Sequence, residues 1–328
     1  MNKFKKIGLT ALAASLVSVS AHAGEMSVAG SASMNVEGYT GERLNAGSGF
    51  SMGNQLTFSG SGELDNGMTV SISFVLDQGD DSTTAAAQLY TGGPFDSHSV
   101  KVSSDSLGTL TLAGEGGSST ATSIDGTAAG DIWDTFDGSR GATTAVAVSD
   151  SGPGDNSLFY TLPSIMDGLD VNLSYQPQGS NKESGTGWGV SYTGVEGLTA
   201  KYAVADEVGT TTALSGDQTV YNISYAYGPV TATISESDFD VVTVASDQVT
   251  SSYAISYTVT DDLSITYGVD EIEKGGSTTD AEYSSISASY TSGGMTISAA
   301  MKDAENVDHT TATTADFEYW TLGASFAF

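Results

Sequence analysis

From Met26 onward the chain alternates apolar and polar residues with a period of two, and helical spacing is nearly absent. The C-terminus shows it most clearly. Trp320, Leu322, Ala324, Phe326 and Phe328 share one parity, and Thr321, Gly323, Ser325 and Ala327 share the other. One such segment would also fit a half-buried strand of a soluble protein. The pattern recurs in sixteen segments, however, and their connections alternate in kind. Asp65-Asn66-Gly67, Ser104 to Gly108, Pro163 to Gly168, Gly194 to Gly197, Gly228-Pro229, Thr260-Asp261-Asp262 and Ser292-Gly293-Gly294 are short and carry hairpin chemistry. The stretches near 40–50, 77–97, 114–156, 176–186, 206–218, 238–250, 271–281 and 303–316 are long and rich in Asp, Ser, Thr and Gly.

Seven short turns alternating with eight long loops predict an all-β fold, a 16-stranded antiparallel transmembrane β-barrel with short periplasmic turns and long external loops. Tyr192, Tyr225, Tyr227, Tyr257 and Tyr290 support it. Each falls at the end of a strand running into a short turn, on the parity of the apolar residues, as an aromatic girdle at a membrane interface requires. The opposite parity should line a water-filled lumen. It carries Lys101, Asp170, Lys201 and Lys302, so strand charge is expected to point inward. A charge on the lipid face would cost about 2–4 kcal/mol near the midplane.

The first residues fix the compartment. Lys3, Lys5 and Lys6 precede a short apolar run from Ile7 to Val19, and Ala21-His22-Ala23 has the form of a cleavage site. Residues 1–23 therefore read as a secretory signal peptide and 24–328 as the barrel. No stretch after Ala23 reaches about 18 apolar residues, so any membrane passage must use a closed barrel.

Charge narrows the partners. Forty acidic residues face ten basic ones, a formal net charge of −30. Such a chain does not bind nucleic acid through phosphate contacts and concentrates cations around itself. Cysteine is absent, which removes disulfides and thiolate metal sites. Only His98 and His309 remain beyond the signal, and no serine sits in a recognisable triad setting. No enzymatic function is expected.

Local motifs add a resemblance. Gly62-Glu63-Leu64-Asp65-Asn66-Gly67-Met68-Thr69-Val70, Leu107-Gly108-Thr109-Leu110-Thr111-Leu112 and Asn156-Ser157-Leu158-Phe159-Tyr160 resemble, in order and spacing, segments of Gram-negative general porins of the alphaproteobacterial type. The end at Phe326 and Phe328 is similar to the signal read by the outer-membrane barrel assembly machinery. The resemblance implies a homotrimer in outer-membrane lipid and lipopolysaccharide, with a third loop folded into the lumen. In such porins basic wall residues usually oppose that loop. Here they are scarce.

The longest connection, 114–156, is the candidate constriction loop. Ile132 and Phe136 are spaced to pin a short helical turn to the wall, which would project Asp131 and Asp134 together. Asp125, Asp137 and Arg140 complete the candidate set. These carboxylates fit a cation-attracting constriction. Alternatives are a solvated external loop or a calcium site at Asp131, Asp134 and Asp137, although the spacing matches no EF-hand. No cofactor is otherwise expected. Asp80-Asp81, Asp206-Glu207, Asp238, Asp240, Asp270, Glu271, Glu273, Asp303 and Glu305 are expected in other external loops, as a hydrophilic rim.

The predicted function is passive diffusion of small hydrophilic solutes and ions, with a preference for cations. A solute-specific channel, for sugars for example, would need a ladder of inward aromatics, and here most aromatics face outward by parity, with Phe317 and Tyr319 as exceptions. A secreted adhesin or surface-layer protein would wash off without detergent, and the tyrosine rim and Phe328 argue against it.

Overall fold

The structure is a computed structural model, and it describes residues 26–40, 47–77, 95–124, 126–136, 155–177, 184–207, 215–243, 247–311 and 315–328. The signal segment lies outside the described residues, as do Asp80, Asp81, Asp125, Asp137 and Arg140.

Sixteen strands form one closed antiparallel barrel in which each strand pairs with its sequence neighbours. They are β1 (Met26–Thr40), β2 (Gly47–Glu63), β3 (Thr69–Asp77), β4 (Ser97–Ser104), β5 (Gly108–Glu115), β6 (Asp155–Thr161), β7 (Leu169–Gln176) and β8 (Gly185–Tyr192). Then follow β9 (Leu198–Glu207), β10 (Gly216–Tyr227), β11 (Val230–Val241), β12 (Gln248–Thr260), β13 (Leu263–Lys274), β14 (Ala281–Ser292), β15 (Met295–Glu305) and β16 (Phe317–Ala327). Closure comes from β1 and β16, with Ser31 opposite Ala327 through to Thr40 opposite Glu318. Gly30 and the terminal Phe328 exchange both backbone hydrogen bonds, at 2.7 and 3.0 Å. No strand edge is left to be solvated in lipid.

The seven short turns fall where the sequence places them. At Asp65-Asn66-Gly67 the Asn66 side chain accepts the Met68 amide at 3.1 Å, and Gly67 takes φ 78°, which the reversal needs. Register confirms the faces in the lower part of each strand. Tyr225, Tyr227, Tyr257 and Tyr290 are exposed on the outer surface with Ile223, Ile255 and Ile286.

The upper ends differ from expectation. Asp206, Glu207, Asp238, Asp240, Asp270, Glu271, Glu273, Asp303 and Glu305 lie in strands rather than external loops. Most face outward, and they oppose one another directly. Asp206, Asp217 and Asp240 form one row across β9–β11, and Glu271, Glu282 and Glu305 form another across β13–β15. Asp303 opposes Glu318. The expectation that strand charge points inward fails at this height for a physical reason. Above the bilayer the outer face meets water, while the inner face is covered by protein. Inward positions there are accordingly apolar, with Phe239, Ile272, Tyr283, Ala304 and Phe317 all buried. The period of two persists, but its polarity inverts.

Candidate functional site

The protein fills the inverted region with its own third loop. Residues 116–124 and 126–136 run along the inner wall from β7 round to β1, held by groups of the wall. The loop opens with a turn in which Ser119 and Thr122 cap each other, the Thr122 amide donating to Ser119 Oγ at 3.0 Å and the Ser119 amide to Thr122 Oγ1 at 2.8 Å. The Thr120 amide donates to Ser174 of β7 at 3.0 Å, and its hydroxyl to the Val204 carbonyl of β9 at 3.0 Å. The Ser119 hydroxyl donates to the buried Glu207 carboxylate. Ala121 and Ile124 then pack on Ala203, Ala205 and Val220.

The second half follows the same scheme. The Ala128 amide donates to Ser235 of β11 at 2.7 Å, the Ala129 amide to Ser252 of β12 at 2.9 Å, and the Ile132 amide to Asp270 of β13 at 2.9 Å. Residues Ile132–Phe136 form a 3₁₀ turn, with Ile132 and Phe136 fully buried against Ile272, Tyr283, Ala304 and Phe317. Burying these two side chains contributes about 1.5–3 kcal/mol each. Lys302 of β15 donates to Thr135 Oγ1 at 2.6 Å, and the Tyr39 hydroxyl of β1 reaches the Thr135 carbonyl at 3.3 Å. Tyr319 packs against Tyr39 with ring centroids 4.6 Å apart and planes tilted by 51°, and it donates to Glu37 at 2.7 Å.

The pegs at Ile132 and Phe136 were legible from spacing. The receptors were not, because Glu207 and Asp270 read as loop acids and Ser174, Ser235 and Ser252 are ordinary lumen serines. One signal was present. Where the loop lies close, the wall carries glycine: a Cβ at Gly187 would meet Thr120 Oγ1 at 2.2 Å, and one at Gly268 would meet Ala129 Cβ at 2.5 Å.

With the loop seated, Ser123, Gly130, Asp131 and Asp134 are exposed on its free side. Asp131 and Asp134 flank the turn together, and Asp131 accepts the Thr127 hydroxyl. Among the described residues no group of three acidic or histidine side chains is placed to hold a metal ion. The wall residues Lys101, Asp170, Lys201 and Lys302 all lie on the inward face. Lys302 is committed to the loop, whereas Lys101 sits among the hydroxyls of Ser59, Ser71, Ser73 and Ser99. His309, in a short turn of the last external loop, meets the Thr279 carbonyl at 3.1 Å, and burial holds its imidazole below the usual range.

A closed barrel with an aromatic lipid face, a polar inner wall and a loop seated within it is a transmembrane β-barrel channel. The chain belongs to the Gram-negative porin family, whose family model matches residues 8–328. It is an outer-membrane channel for passive diffusion. Solved structures of the same fold include Salmonella typhi OmpF in complex with daunomycin, 11% identical, TM-score 0.70, covering 93% of this chain and 98% of that one. An anion-selective porin from Comamonas acidovorans is 15% identical, TM-score 0.67, with 93% and 99% covered. A Rh. blastica porin mutant is 16% identical, TM-score 0.64, with 93% and 100% covered. No curated protein matches the chain.

Proposed function

We propose that this porin is a general diffusion channel of homotrimers with a preference for cations, the seated loop forming its constriction. The observation that carries the preference is the pair Asp131 and Asp134, exposed together on the free side of the loop while Lys302 is tied back to Thr135. Carboxylates at a narrow passage attract cations and repel anions, and less so as salt screens them. The fold does not set the sign, since one similar structure is an anion-selective porin. The sign follows from which side chains reach the passage. The net charge of −30 acts in the same direction at longer range.

Assembly fits the same reading. Phe326 and Phe328 are exposed on the outer face, where the barrel assembly machinery would engage them.

The test is the reversal potential across a planar bilayer in a KCl gradient. Native protein should pass K⁺ in preference to Cl⁻. The variant D131N/D134N should lower the cation-to-anion permeability ratio severalfold at low salt and less at high salt. Anion preference in the native protein, or an unchanged ratio in the variant, overturns the reading.

A further inference from the structure

Beside the first half of the seated loop the lumen wall holds a cavity of about 280 Å³. Ser123 of the loop, Phe159 of β6, Asp170 and Asn172 of β7, Ser191 of β8 and Lys201 of β9 line it. Register places three of these in one row, with Asp170 opposite Ser191 and Ser191 opposite Lys201. Two strand spacings separate the acid from the amine, about 10 Å between backbones.

Asp170 and Lys201 do not pair with each other. His98 and Glu115 approach each other to 3.8 Å, but on the outer parity of β4 and away from this cavity. A carboxylate and an ammonium therefore face one cavity with their charges unspent. The groups between them can donate and accept. Thr161 donates to Asn172 Oδ1 at 2.8 Å, which leaves the Asn172 amide hydrogens for the cavity, and the Ser191 hydroxyl lies midway. Phe159 adds an apolar ring face. The cavity around Lys101 has an ammonium and hydroxyls but no carboxylate.

We propose that this cavity is a solute subsite for small zwitterions, molecules of amino-acid or dipeptide size with one ammonium and one carboxylate. Asp170 takes the ammonium and Lys201 the carboxylate, with Asn172 and Ser191 hydrogen-bonding the atoms between. A neutral solute makes neither ionic contact. A simple anion or cation makes one and meets a like charge at the other end. Exposed ion pairs of this kind shift an equilibrium by about two- to fivefold each. Weak capture suits a channel, because a solute must leave as readily as it arrives. The inference rests on the lumen being open to solutes, as in the reading above.

The test uses purified full-length protein in a planar bilayer with KCl on both sides near neutral pH. Glycine and then glycylglycine are added in graded millimolar steps, with the neutral isostere glycolamide as comparator. The zwitterions should cause a saturable fall in K⁺ current or added current noise, and glycolamide should not. Apparent affinity should fall about two- to fivefold in D170N and in K201Q, and further in the double variant. Discrete conductance steps show that each variant has folded and inserted, and the native comparison of zwitterion with glycolamide decides even where a variant does not insert. Equal effects of zwitterion and glycolamide on native protein overturn the proposal, as do unchanged affinities in the variants. Failure of the channel reading itself would appear earlier, as absent K⁺ conductance before any solute is added.

Discussion

Asp270 shows how one side chain serves the channel from a concealed place. It is fully buried on the inner face of β13 and accepts the Ile132 amide at the start of the 3₁₀ turn. Removing the acceptor would leave a buried N–H without a partner, a penalty of about 1–3 kcal/mol. That is comparable to what one of the two apolar pegs contributes. D270A should therefore release the end of the loop for part of the time, seen as extra open-channel noise and substates in single-channel records. D270N keeps an oxygen in place and should recover most of the quiet behaviour. Equal noise in the two variants would mean that the carboxylate position is not what holds the turn. In the sequence, Asp270 stands in the run Asp270-Glu271-Ile272-Glu273, which reads as loop acids. Its neighbours Glu271 and Glu273 do face water. Nothing local distinguishes the buried member from the exposed ones. The distinction comes from register, which puts Asp270 on the inner parity with Ile272.

At the scale of the element, the described part of the third loop, residues 116–124 and 126–136, is a belt laid on the wall. Its backbone approaches so closely that the wall must give up side chains beneath it. Gly268 faces Ala129 with no room for a Cβ. G268V should force the loop off β13 towards the free lumen and lower single-channel conductance, while the closed barrel keeps its β spectrum. A conductance equal to native would show that the loop yields along the wall instead. The same element explains what the sequence could and could not convey. Ile132 and Phe136 carry helical spacing inside an otherwise strand-like chain, so the peg was visible. The barrel was visible because lipid imposes one rule, apolar out and polar in, along the lower part of every strand. Above the bilayer water replaces lipid and the loop replaces the lumen, so the rule reverses. Strands such as β11 and β13 then continue three or more residues beyond the place where the rule ends. Glu207 and Asp270, the two acids that hold the belt, both lie in that reversed zone.

Over the whole molecule the outer surface has two unlike sides. Around β8–β14 it carries the tyrosines of the girdle, Tyr192, Tyr225, Tyr227, Tyr257 and Tyr290, and above them the outward acid rows. Around β1–β5 the outward parity of the described residues has neither tyrosine nor tryptophan, and its exposed large apolar residues are Met26, Val28, Met34, Phe50, Met52, Leu76, Val100, Leu110 and Leu112. A girdle residue works only where protein meets the lipid headgroups, and a carboxylate rim only where it meets water. A side whose described residues lack the tyrosine girdle and the acid rows is suited to another protein surface, and the proposed trimer would place a neighbouring copy there. Phe50 and Met52, 87% and 72% exposed on β2, lie in that side. M52D should convert the proposed trimer to monomers, read as loss of the slow band of unheated protein on a gel, with the β spectrum kept. I255D, on the tyrosine side, should instead lower the folded yield without changing the size of what does fold, because there the charge faces lipid at a cost of about 2–4 kcal/mol if it lies near the midplane. If M52D behaves as I255D does, the β1–β5 side faces lipid too, and the missing girdle has another cause.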